Sequence, residues 1–385
     1  MNLLSCNNIS DLRRMARRRL PAPVFDYLDG GADDEKSLDR NTSAFDSYEL
    51  LPAQLNDVSS IDLSTQLLGA RQSIPILLSP TGMSRLFHRD KEFAVARAAS
   101  TFNVAYTLST MSTTAIEVIS AETSGPKMFQ VYVFKDRELT REFVERCKAA
   151  GYDALCLTVD TPVFGNRERD LVSGMTIPPR IGLRQIGHYL SRPTWTRDAV
   201  SQHDFQLANI THRAELGGSG TFKLIEFLNQ QFDRAVTWKD VEWLRGIWDG
   251  PLVIKGILSS ADAQQAVNAG ASAIMISNHG GRQLDAAAAP ISCVCEIRSQ
   301  VGDDIELIVD GGIRRGTHVL KALALGANAC SIGRPYLYGL AAGGQAGVER
   351  TLGLLRDELL RGAALLGCRN VREITTDRVR TISTP

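Results

Sequence analysis

The sequence has few of the features that mark membrane, metal-binding or nucleic-acid-binding proteins. Apolar runs such as 74–78 and 273–276 are far shorter than the roughly 18 residues of a membrane span. With 43 basic and 43 acidic side chains, the chain has no basic excess for nucleic acid. The 7 cysteines form no CxxC pair, and the 6 histidines form no HxH, HxxxH or HExxH motif. We therefore expect reduced thiols, no metal site, no nucleic-acid partner and a cytoplasmic protein without a signal peptide.

Short apolar runs alternate with helix-period segments along most of the chain. Continuous apolar strands that alternate with helices indicate a parallel sheet covered by helices. The predicted strands lie at 74–79, 104–108, 128–133, 154–159, 252–256, 273–277, 306–310 and 329–332. We predict an α/β protein with a (β/α)8 TIM barrel. A doubly wound sheet is the alternative, but the first strand lacks the GxGxxG motif that a dinucleotide fold needs.

One interval between predicted strands is much longer than the others. The fourth strand begins at Ala154 and the fifth at Leu252, whereas the other strand starts lie 21 to 33 residues apart. A segment of that length inside a compact domain is expected to carry helices and a role of its own. We predict a single domain over 1–385, with an N-terminal helical extension, a barrel at about 74–340 and an insertion at about 165–240.

Polar side chains stand at or near the C-terminal ends of most predicted strands. In a TIM barrel this rim carries the active site, because the loops after the strands meet there. A single polar strand end is explained as a cap for the next helix, but several that converge predict a site. The residues are Ser109, Gln130, Tyr132, Thr158, Asp160, Lys255, His279 and Asp310.

Glycine-rich segments follow the last two predicted strands, as DGGIRRG (310–316) and GRP (333–335). Glycines let backbone N–H groups approach an anion, and arginine adds a forked donor. Barrels commonly bind phosphate at this place, so we expect a phosphorylated ligand. The pattern does not separate a cofactor from a sugar phosphate, and solvated arginines on two glycine turns are the structural alternative.

The segment SNHGGRQLD (277–285) is the most specific feature of the sequence. It places His279 just after a strand end and Arg282 three residues later. A histidine there is suited to general-base catalysis, and an arginine binds a carboxylate through two parallel hydrogen bonds. A lone loop histidine is more often not catalytic, but Asp160 and Lys255 in the same ring of loops favour an active site.

In these motifs the sequence resembles the FMN-dependent family that oxidises L-2-hydroxy acids. This family includes glycolate oxidases, mandelate dehydrogenases and bacterial L-lactate dehydrogenases, and the membrane-associated lactate dehydrogenases are most similar over 232–258. The motifs span nearly the whole chain: FDYLDGGADDE (25–35), FQVYV (129–133), LTVDTP (157–162), VIKG (253–256), SNHGGRQLD, DGGIRRGTHVLKALALGA (310–327) and IGRP (332–335). The resemblance implies FMN as the cofactor and L-lactate as the expected small 2-hydroxy-acid substrate. L-Mandelate, another larger 2-hydroxy acid, or an oxidase that uses O2 are the alternatives.

The resemblance also implies roles for individual residues. His279 matches the base that takes the hydroxyl proton while the α-hydrogen leaves toward flavin N5, and Asp160 would stabilise the imidazolium. Lys255 matches the cation beside flavin N1 and O2. Substrate binding falls to Tyr27, Tyr132, Arg167 and Arg282. The remaining cofactor contacts fall to Ser109, Gln130, Thr158, Asp310, Gly311, Gly312, Arg314, Gly333 and Arg334.

Two departures from the family pattern bear on the electron acceptor and the pocket wall. Gly82 stands where oxygen-using members often have alanine, which favours the dehydrogenase branch that passes electrons to quinone or another carrier. Met111 stands where plant glycolate oxidases have tryptophan, so the wall is softer and its size is open. The resemblance further implies a homo-oligomer, namely a tetramer.

The insertion contains a basic amphipathic pattern at 178–197. On one helical face lie Arg180, Arg184, His188 and Arg192, and on the other Leu183, Ile186, Tyr189 and Leu190. Such a helix suits an anionic membrane surface, but a helix that packs over the barrel mouth with solvated arginines explains the pattern equally well. The arginines within 13–19 have the same two interpretations. Our hypothesis is peripheral attachment to the inner face of a membrane.

Two further classes of function compete with this assignment. A phosphosugar isomerase or lyase would use a similar barrel and phosphate site without flavin, but it does not need Arg282 beside His279. A barrel that only binds a partner would not need polar side chains at so many strand ends.

Overall fold

The computed structural model describes residues 2–175, 182–201, 205–211 and 221–382. Eight parallel strands close into a barrel, so the predicted TIM-barrel fold is confirmed. Each strand pairs with the next along the chain, and the eighth pairs with the first. The strands are β1 (Ile76–Leu78), β2 (Tyr106–Ser109), β3 (Lys127–Val131), β4 (Ala154–Thr158), β5 (Leu252–Ile257), β6 (Ala273–Ser277), β7 (Glu306–Asp310) and β8 (Ala329–Ile332).

Helices follow the barrel strands, and others come before the barrel and between β4 and β5. In chain order they are α1 (Ile9–Arg19), α2 (Ala22–Asp29), α3 (Lys36–Ser43), α4 (Lys91–Thr101), α5 (Ile116–Glu122), α6 (Arg137–Ala149), α7 (Glu168–Ser173), α8 (Leu183–Leu190), α9 (Pro193–Ser201), α10 (Thr221–Gln231), α11 (Trp238–Ile247), α12 (Ser260–Asn268), α13 (Pro290–Val301), α14 (Gly316–Ala324) and α15 (Arg334–Leu366). Helix α15 bends at Gly343 and Gly344, whose backbone angles are not helical.

The two-residue period of the strands explains both the barrel core and its polar rim. Side chains two residues apart in a strand lie on the same face. Apolar side chains that pack together in the barrel interior include Cys156, Val253, Met275 and Ile308. Two residues further along the same strands lie Thr158, Lys255, Ser277 and Asp310. The same face of each strand therefore buries an apolar group in the barrel and then presents a polar group at its C-terminal end.

The opposite end of the barrel is closed by an antiparallel hairpin of Thr65–Leu67 and Ala70–Gln72. Leu67 packs in the interior cluster, and the backbone N–H of Leu68 donates to Glu306 Oε2 at 2.8 Å, at the start of β7. The C-terminal rim is left for ligands.

The prediction that Tyr132 lies within the third strand was wrong by one residue. The pairing of β3 with β4 ends at Val131. The carbonyl oxygen of Tyr132 instead accepts a hydrogen bond of 3.3 Å from Thr140 Oγ1 in α6. Tyr132 therefore lies in the loop after β3, where its side chain has left the sheet.

The predicted basic helix of the insertion is described only in part, because Arg180 and the side chains of Leu183 and Arg184 lie outside the described residues. Helix α8 exposes Ile186 and Leu190, which are 42% and 68% accessible. Tyr189 stacks on Trp195 of α9 with 5.6 Å between ring centres. Within the described ranges, no helix combines the length and apolar content that crossing a bilayer needs.

Candidate active site

A cavity of about 520 Å³ opens at the C-terminal end of the barrel. It is lined by strand ends, the loops that follow them, helix α2 and part of the insertion. Every site residue predicted from the sequence lies in its wall except Asp160, which lies behind His279. In the described part of the chain, no group of three or more His, Cys, Asp or Glu side chains could hold a metal ion.

His279 and Asp160 form a hydrogen-bonded pair at the cavity. His279 Nδ1 lies 2.9 Å from Asp160 Oδ1, which leaves Nε2 as the ring nitrogen available to a ligand. Burial alone would raise the pKa of Asp160, but the charges of His279 and Lys255 outweigh burial and lower it. Asp160 is therefore an ionised carboxylate at neutral pH that fixes the orientation of the imidazole.

A tight turn after β6 presents His279. The residue adopts a left-handed conformation with φ of 57°, which costs energy for a side chain with a Cβ. The His279 N–H donates to Ser277 Oγ at 3.0 Å, and Gly281 N–H donates to the carbonyl of Asn278 at 3.0 Å. These hydrogen bonds hold the strained residue in place.

Asp160 can approach the barrel because of an irregularity in β5. The register of β5 against β6 shifts between Lys255 and Ile257, and Gly256 between them has φ of 113°. A Cβ on Gly256 would lie 2.7 Å from Asp160 Cβ, which is shorter than real contacts. Only glycine therefore leaves room for the carboxylate there.

Two guanidinium groups lie against the ring of Tyr27. Arg282 Cζ is 5.0 Å and Arg167 Cζ is 5.3 Å from the ring centre. Arg282 is held in place by its Nη1, which donates to the carbonyls of Tyr27 at 2.8 Å and Gly30 at 3.0 Å. Burial, and then the charge of Arg167, lower the pKa of Arg282 to about 9, so the side chain is still charged at neutral pH. Two neighbouring cations in a cavity favour an anionic ligand such as a carboxylate.

A buried ion pair lies on the side of the cavity formed by β5 to β8. Lys255 Nζ is 3.0 Å from Asp310 Oδ2 and donates to Ser277 Oγ at 2.8 Å. Asp310 also accepts hydrogen bonds from Ser277 Oγ at 2.8 Å and from Ser79 Oγ. Burial would lower the pKa of Lys255, but Asp310 and Asp160 outweigh it and raise the pKa. The site thus contains a permanent positive charge with fixed partners.

Polar atoms on the side formed by β3 and β4 lack partners. Ser109 Oγ donates to Gln130 Oε1 at 3.1 Å. Among the described residues, Gln130 Nε2 and Thr158 Oγ1 are buried without a hydrogen-bond partner. Unpaired buried polar atoms are rare in proteins and call for a ligand with complementary groups. The polar edge of a flavin ring, which has both donors and acceptors, fits this side.

One part of the cavity wall suits a phosphate group. Its wall contains Gly311, Gly312, Arg314, Gly333 and Arg334, and helix α15 begins there. Arg334 is anchored by Nη1 to the carbonyl of Gly280 at 2.8 Å and by Nη2 to that of Gly30 at 2.7 Å. Glycine backbone, arginine and a helix N-terminus together favour an anion. The cavity wall therefore contains groups that fit both the phosphate and the polar ring edge of FMN.

Several residues of the cavity were not predicted from the sequence. Ser277 accepts from Lys255 and donates to Asp310, so its hydroxyl links the two members of the ion pair. Its position at a strand end was a signal, but its partners were not visible in the sequence. The long segment between β4 and β5 contributes Phe164, Met175 and Asn229 to the wall. Apart from Arg167, which the family resemblance supplied, no sequence pattern indicated which residues of this segment would reach the site.

A family model, curated proteins and solved structures match nearly the whole chain. A family model of FMN-dependent dehydrogenases matches residues 16–381. An L-lactate oxidase of Nostoc sp. is 43% identical over 373 residues, which are 96% of this chain and 96% of that protein. An L-lactate dehydrogenase of Ectopseudomonas mendocina is 41% identical over 370 residues, covering 96% and 97% of the two chains. Among solved structures, a monotopic membrane (S)-mandelate dehydrogenase matches with a TM-score of 0.94 at 36% identity, over 98% of this chain and 100% of that one. The chain therefore belongs to the family of FMN-dependent dehydrogenases.

Proposed function

We propose that this protein is an FMN-dependent L-2-hydroxy-acid dehydrogenase that converts L-lactate to pyruvate. FMN-dependent oxidation of 2-hydroxy acids is the chemistry of its family. One observation carries the proposal: the His279–Asp160 pair and the guanidinium groups of Arg167 and Arg282 meet at one cavity. A 2-hydroxy acid presents a carboxylate and a hydroxyl proton on neighbouring carbon atoms, and these groups match the two halves of the site.

Substrate binding is assigned to the arginines and to two tyrosines. Arg282 and Arg167 would bind the carboxylate through charge-assisted hydrogen bonds. Both guanidinium groups lie against the ring of Tyr27, and Tyr132 lines the same cavity. Burial raises the pKa of Tyr132, so its hydroxyl remains a hydrogen-bond donor at any working pH. A substrate held in this way would present its hydroxyl to His279, which lines the same cavity.

His279 is the proposed base. Its Nε2 would take the hydroxyl proton of the substrate, because Nδ1 is engaged with Asp160. The Asp160 carboxylate then stabilises the imidazolium that forms. FMN, when bound, would accept the α-hydrogen of the substrate together with the two electrons that the substrate loses. Lys255 would stabilise the negative charge that reduction adds to the cofactor, since its own positive charge is permanent and its position is fixed by Asp310.

A larger 2-hydroxy acid such as L-mandelate is the second candidate substrate. The cavity wall includes the apolar side chains of Met111, Phe164, Leu171 and Met175. Phe164 packs on Phe232 with 4.8 Å between ring centres, which extends an aromatic surface beside the cavity. This surface would favour a substrate side chain larger than the methyl group of lactate.

Quinone is the proposed electron acceptor, with attachment to the inner face of a membrane. Gly82 lines the cavity, and a Cβ there would lie 2.7 Å from Met111 Cβ, so Met111 leaves no room for an alanine at position 82. Glycine at this position favours the dehydrogenase branch of the family. The exposed apolar residues Ile186 and Leu190 on α8 support contact with lipid.

We also propose a homotetramer, which light scattering after size-exclusion chromatography would test.

The flavin spectrum of the purified protein tests the substrate and the acceptor separately. Under anaerobic conditions, L-lactate should bleach the flavin band and D-lactate should not. Faster bleaching by L-mandelate than by L-lactate would select the second candidate. Reduced protein should then be reoxidised by a soluble quinone faster than by O2. A protein that binds FMN but is not reduced by any L-2-hydroxy acid would contradict the proposed function.

A further inference from the structure

A second cavity, of about 220 Å³, lies between the end of α1, the loop after β1 and the start of α9. Side chains from all three segments bring positive charge to it. The arginines that line it are Arg18, Arg19, Arg85, Arg89 and Arg192. Asp198 is the single acidic residue among the described residues of its wall.

Backbone carbonyls hold several of these arginines in place. Arg85, which is 5% exposed, donates from Nη2 to the carbonyl of Asp198 at 2.6 Å. Arg192 Nε donates to the carbonyl of Leu20 at 3.3 Å, and Arg19 donates to the carbonyl of Ala342. A carbonyl fixes a guanidinium group without cancelling its charge. Arg19 and Arg192 therefore keep their positive charge at fixed positions beside the cavity, and an anion that enters it would offset their mutual repulsion. Arg89 Nε lies 3.6 Å from Asp90 Oδ1, in an ion pair between exposed side chains that weakens its charge only slightly.

Exposed apolar side chains lie beside this basic cavity. Ser191 and Arg192 line it, and Leu190 directly precedes them in the chain at 68% exposure. Ile186, one turn earlier in α8, is 42% exposed. Residues four apart share a helix face, so Ile186 and Leu190 form one apolar strip that ends at the cavity. The arrangement suits a ligand with an anionic head and an apolar tail.

We propose that this second cavity binds the phosphate headgroup of an anionic phospholipid, with the acyl chains along Ile186 and Leu190. The inference rests on the membrane attachment proposed above and gives it a specific site. Pro193 and Thr194 at the start of α9 line the cavity, so the positive end of that helix adds to the attraction.

The two cavities share a wall, which connects lipid binding to the active site. Phe87 lines both of them. On the active-site side, the Phe87 ring stacks on Tyr27 with 6.4 Å between ring centres and 19° between planes. A lipid headgroup in the second cavity would therefore hold this part of the active-site cavity close to the bilayer, where a lipid-soluble electron acceptor is found.

Sedimentation of the FMN-bound protein with vesicles tests the site. Wild-type protein should bind vesicles of equal parts phosphatidylglycerol and phosphatidylcholine, and not vesicles of phosphatidylcholine alone. The double variant R18E/R89E reverses two exposed arginines of the cavity and should bind at least tenfold more weakly. The control R361E/R372E reverses two exposed arginines that do not line the cavity, with the same change in net charge, and should bind within twofold of wild type. R18Q/R89Q removes the two charges without reversing them and replaces R18E/R89E if that variant folds poorly. Its binding to the anionic vesicles should fall by a smaller factor than that of R18E/R89E.

Each outcome separates this inference from its alternatives. Equal losses in R18E/R89E and R361E/R372E would mean general surface attraction and would overturn the site. Wild-type protein that ignores both kinds of vesicle would overturn the site and the membrane attachment together, while reduction by L-lactate would still report on the enzyme. Soluble dihexanoyl-phosphatidylglycerol should displace the protein from vesicles at concentrations where inorganic phosphate does not. Equal displacement by inorganic phosphate would indicate a site for free phosphate and would contradict the lipid assignment.

Discussion

The two sides of the active-site cavity differ in whether their buried polar groups have hydrogen-bond partners. On the paired side, Lys255, Ser277 and Asp310 satisfy one another through hydrogen bonds and an ion pair. On the open side, Gln130 Nε2 and Thr158 Oγ1 are buried without partners in the part of the chain that the structure describes. The paired side holds its charges in position before any ligand arrives, whereas the open side lacks hydrogen bonds that a ligand can supply. The paired side therefore contributes charge that is already in position, and the open side contributes affinity for the ligand.

Replacing His279 with Gln should produce the largest effect on catalysis. Loss of the proposed base should slow flavin reduction by L-lactate by roughly 10³- to 10⁴-fold, while FMN remains bound. Stopped-flow absorbance under anaerobic conditions measures the rate. His188→Gln on α8 changes a histidine outside the cavity and should leave the rate unchanged. A His279→Gln protein that reduces its flavin at the wild-type rate would show that another group is the base.

Lys255→Met breaks the paired side and should have the largest effect on stability. Removal of the cation leaves the buried Asp310 carboxylate uncompensated, so the free energy of unfolding should fall by about 3 to 5 kcal/mol. Chemical denaturation of the FMN-free protein measures this. Lys255→Met/Asp310→Asn should recover part of the loss, because it removes the uncompensated charge. The exposed Lys239→Met is the matched control and should change stability by less than about 0.5 kcal/mol. FMN-free Lys255→Met as stable as wild type would mean that the pair does not stabilise the fold.

Asp29→Asn removes a buried carboxylate at the end of α2, the helix that brings Tyr27 to the active-site cavity. Burial would raise the pKa of Asp29, but hydrogen bonds from Arg13 and Tyr338 outweigh it and lower the pKa to about 2. A carboxyl group with a lowered folded-state pKa stabilises the protein fully above its unfolded pKa of about 3.9, and this stabilisation is lost as the pH falls through the folded value. At pH 7 the variant should therefore be less stable by about 2 kcal/mol.

The pH dependence separates this charge from simple packing. The stability difference between wild type and Asp29→Asn should be constant from pH 7 to about pH 5 and shrink as the pH falls from about 4 toward 2. Urea denaturation at each pH measures it. A difference that is the same at pH 7 and pH 3 would mean that the ionised carboxylate contributes nothing beyond its shape.

The barrel and the wall of the cavity were predictable because both follow from local patterns. Apolar runs at regular spacing gave the strands, and the rule that barrel strands meet at one rim brought His279, Lys255 and Asp310 together. The resemblance then added Tyr27, which lies well before the first barrel strand in sequence, and Arg167, which lies in the loop after β4. These two residues reach the site only through the packing of α2 and of the loop before α7, which no local pattern encodes.

The partners of each group were much harder to predict than the groups themselves. Asp160 was predicted as a site residue, but its place behind His279 depends on the bulge at Gly256, whose role appears only when β5 pairs with β6. The sequence showed the arginines of the second cavity only as separate basic residues. They come from three segments that meet only in the folded protein. Side-chain pairing depends on distances of a few ångströms between residues far apart in sequence, and one-dimensional patterns do not contain them.

Thr158→Val tests the open side and should have the smallest effect. It should raise the stability of the FMN-free protein and lower its affinity for FMN. Valine has the shape of threonine without its hydroxyl, so the FMN-free protein loses an unpaired buried polar atom and should gain about 1 kcal/mol in stability. The same variant should bind FMN roughly fivefold more weakly, because the hydrogen bond that the hydroxyl would make to the cofactor is lost. Ser277→Ala on the paired side is the matched change, and there the FMN-free protein should lose stability, because Ser277 Oγ already bonds Lys255 and Asp310. Denaturation of the FMN-free variants and fluorescence titration with FMN measure both quantities. If Thr158→Val and Ser277→Ala destabilised the FMN-free protein equally, the hydroxyl of Thr158 would already be satisfied without the cofactor, and the contrast between the two sides would be wrong.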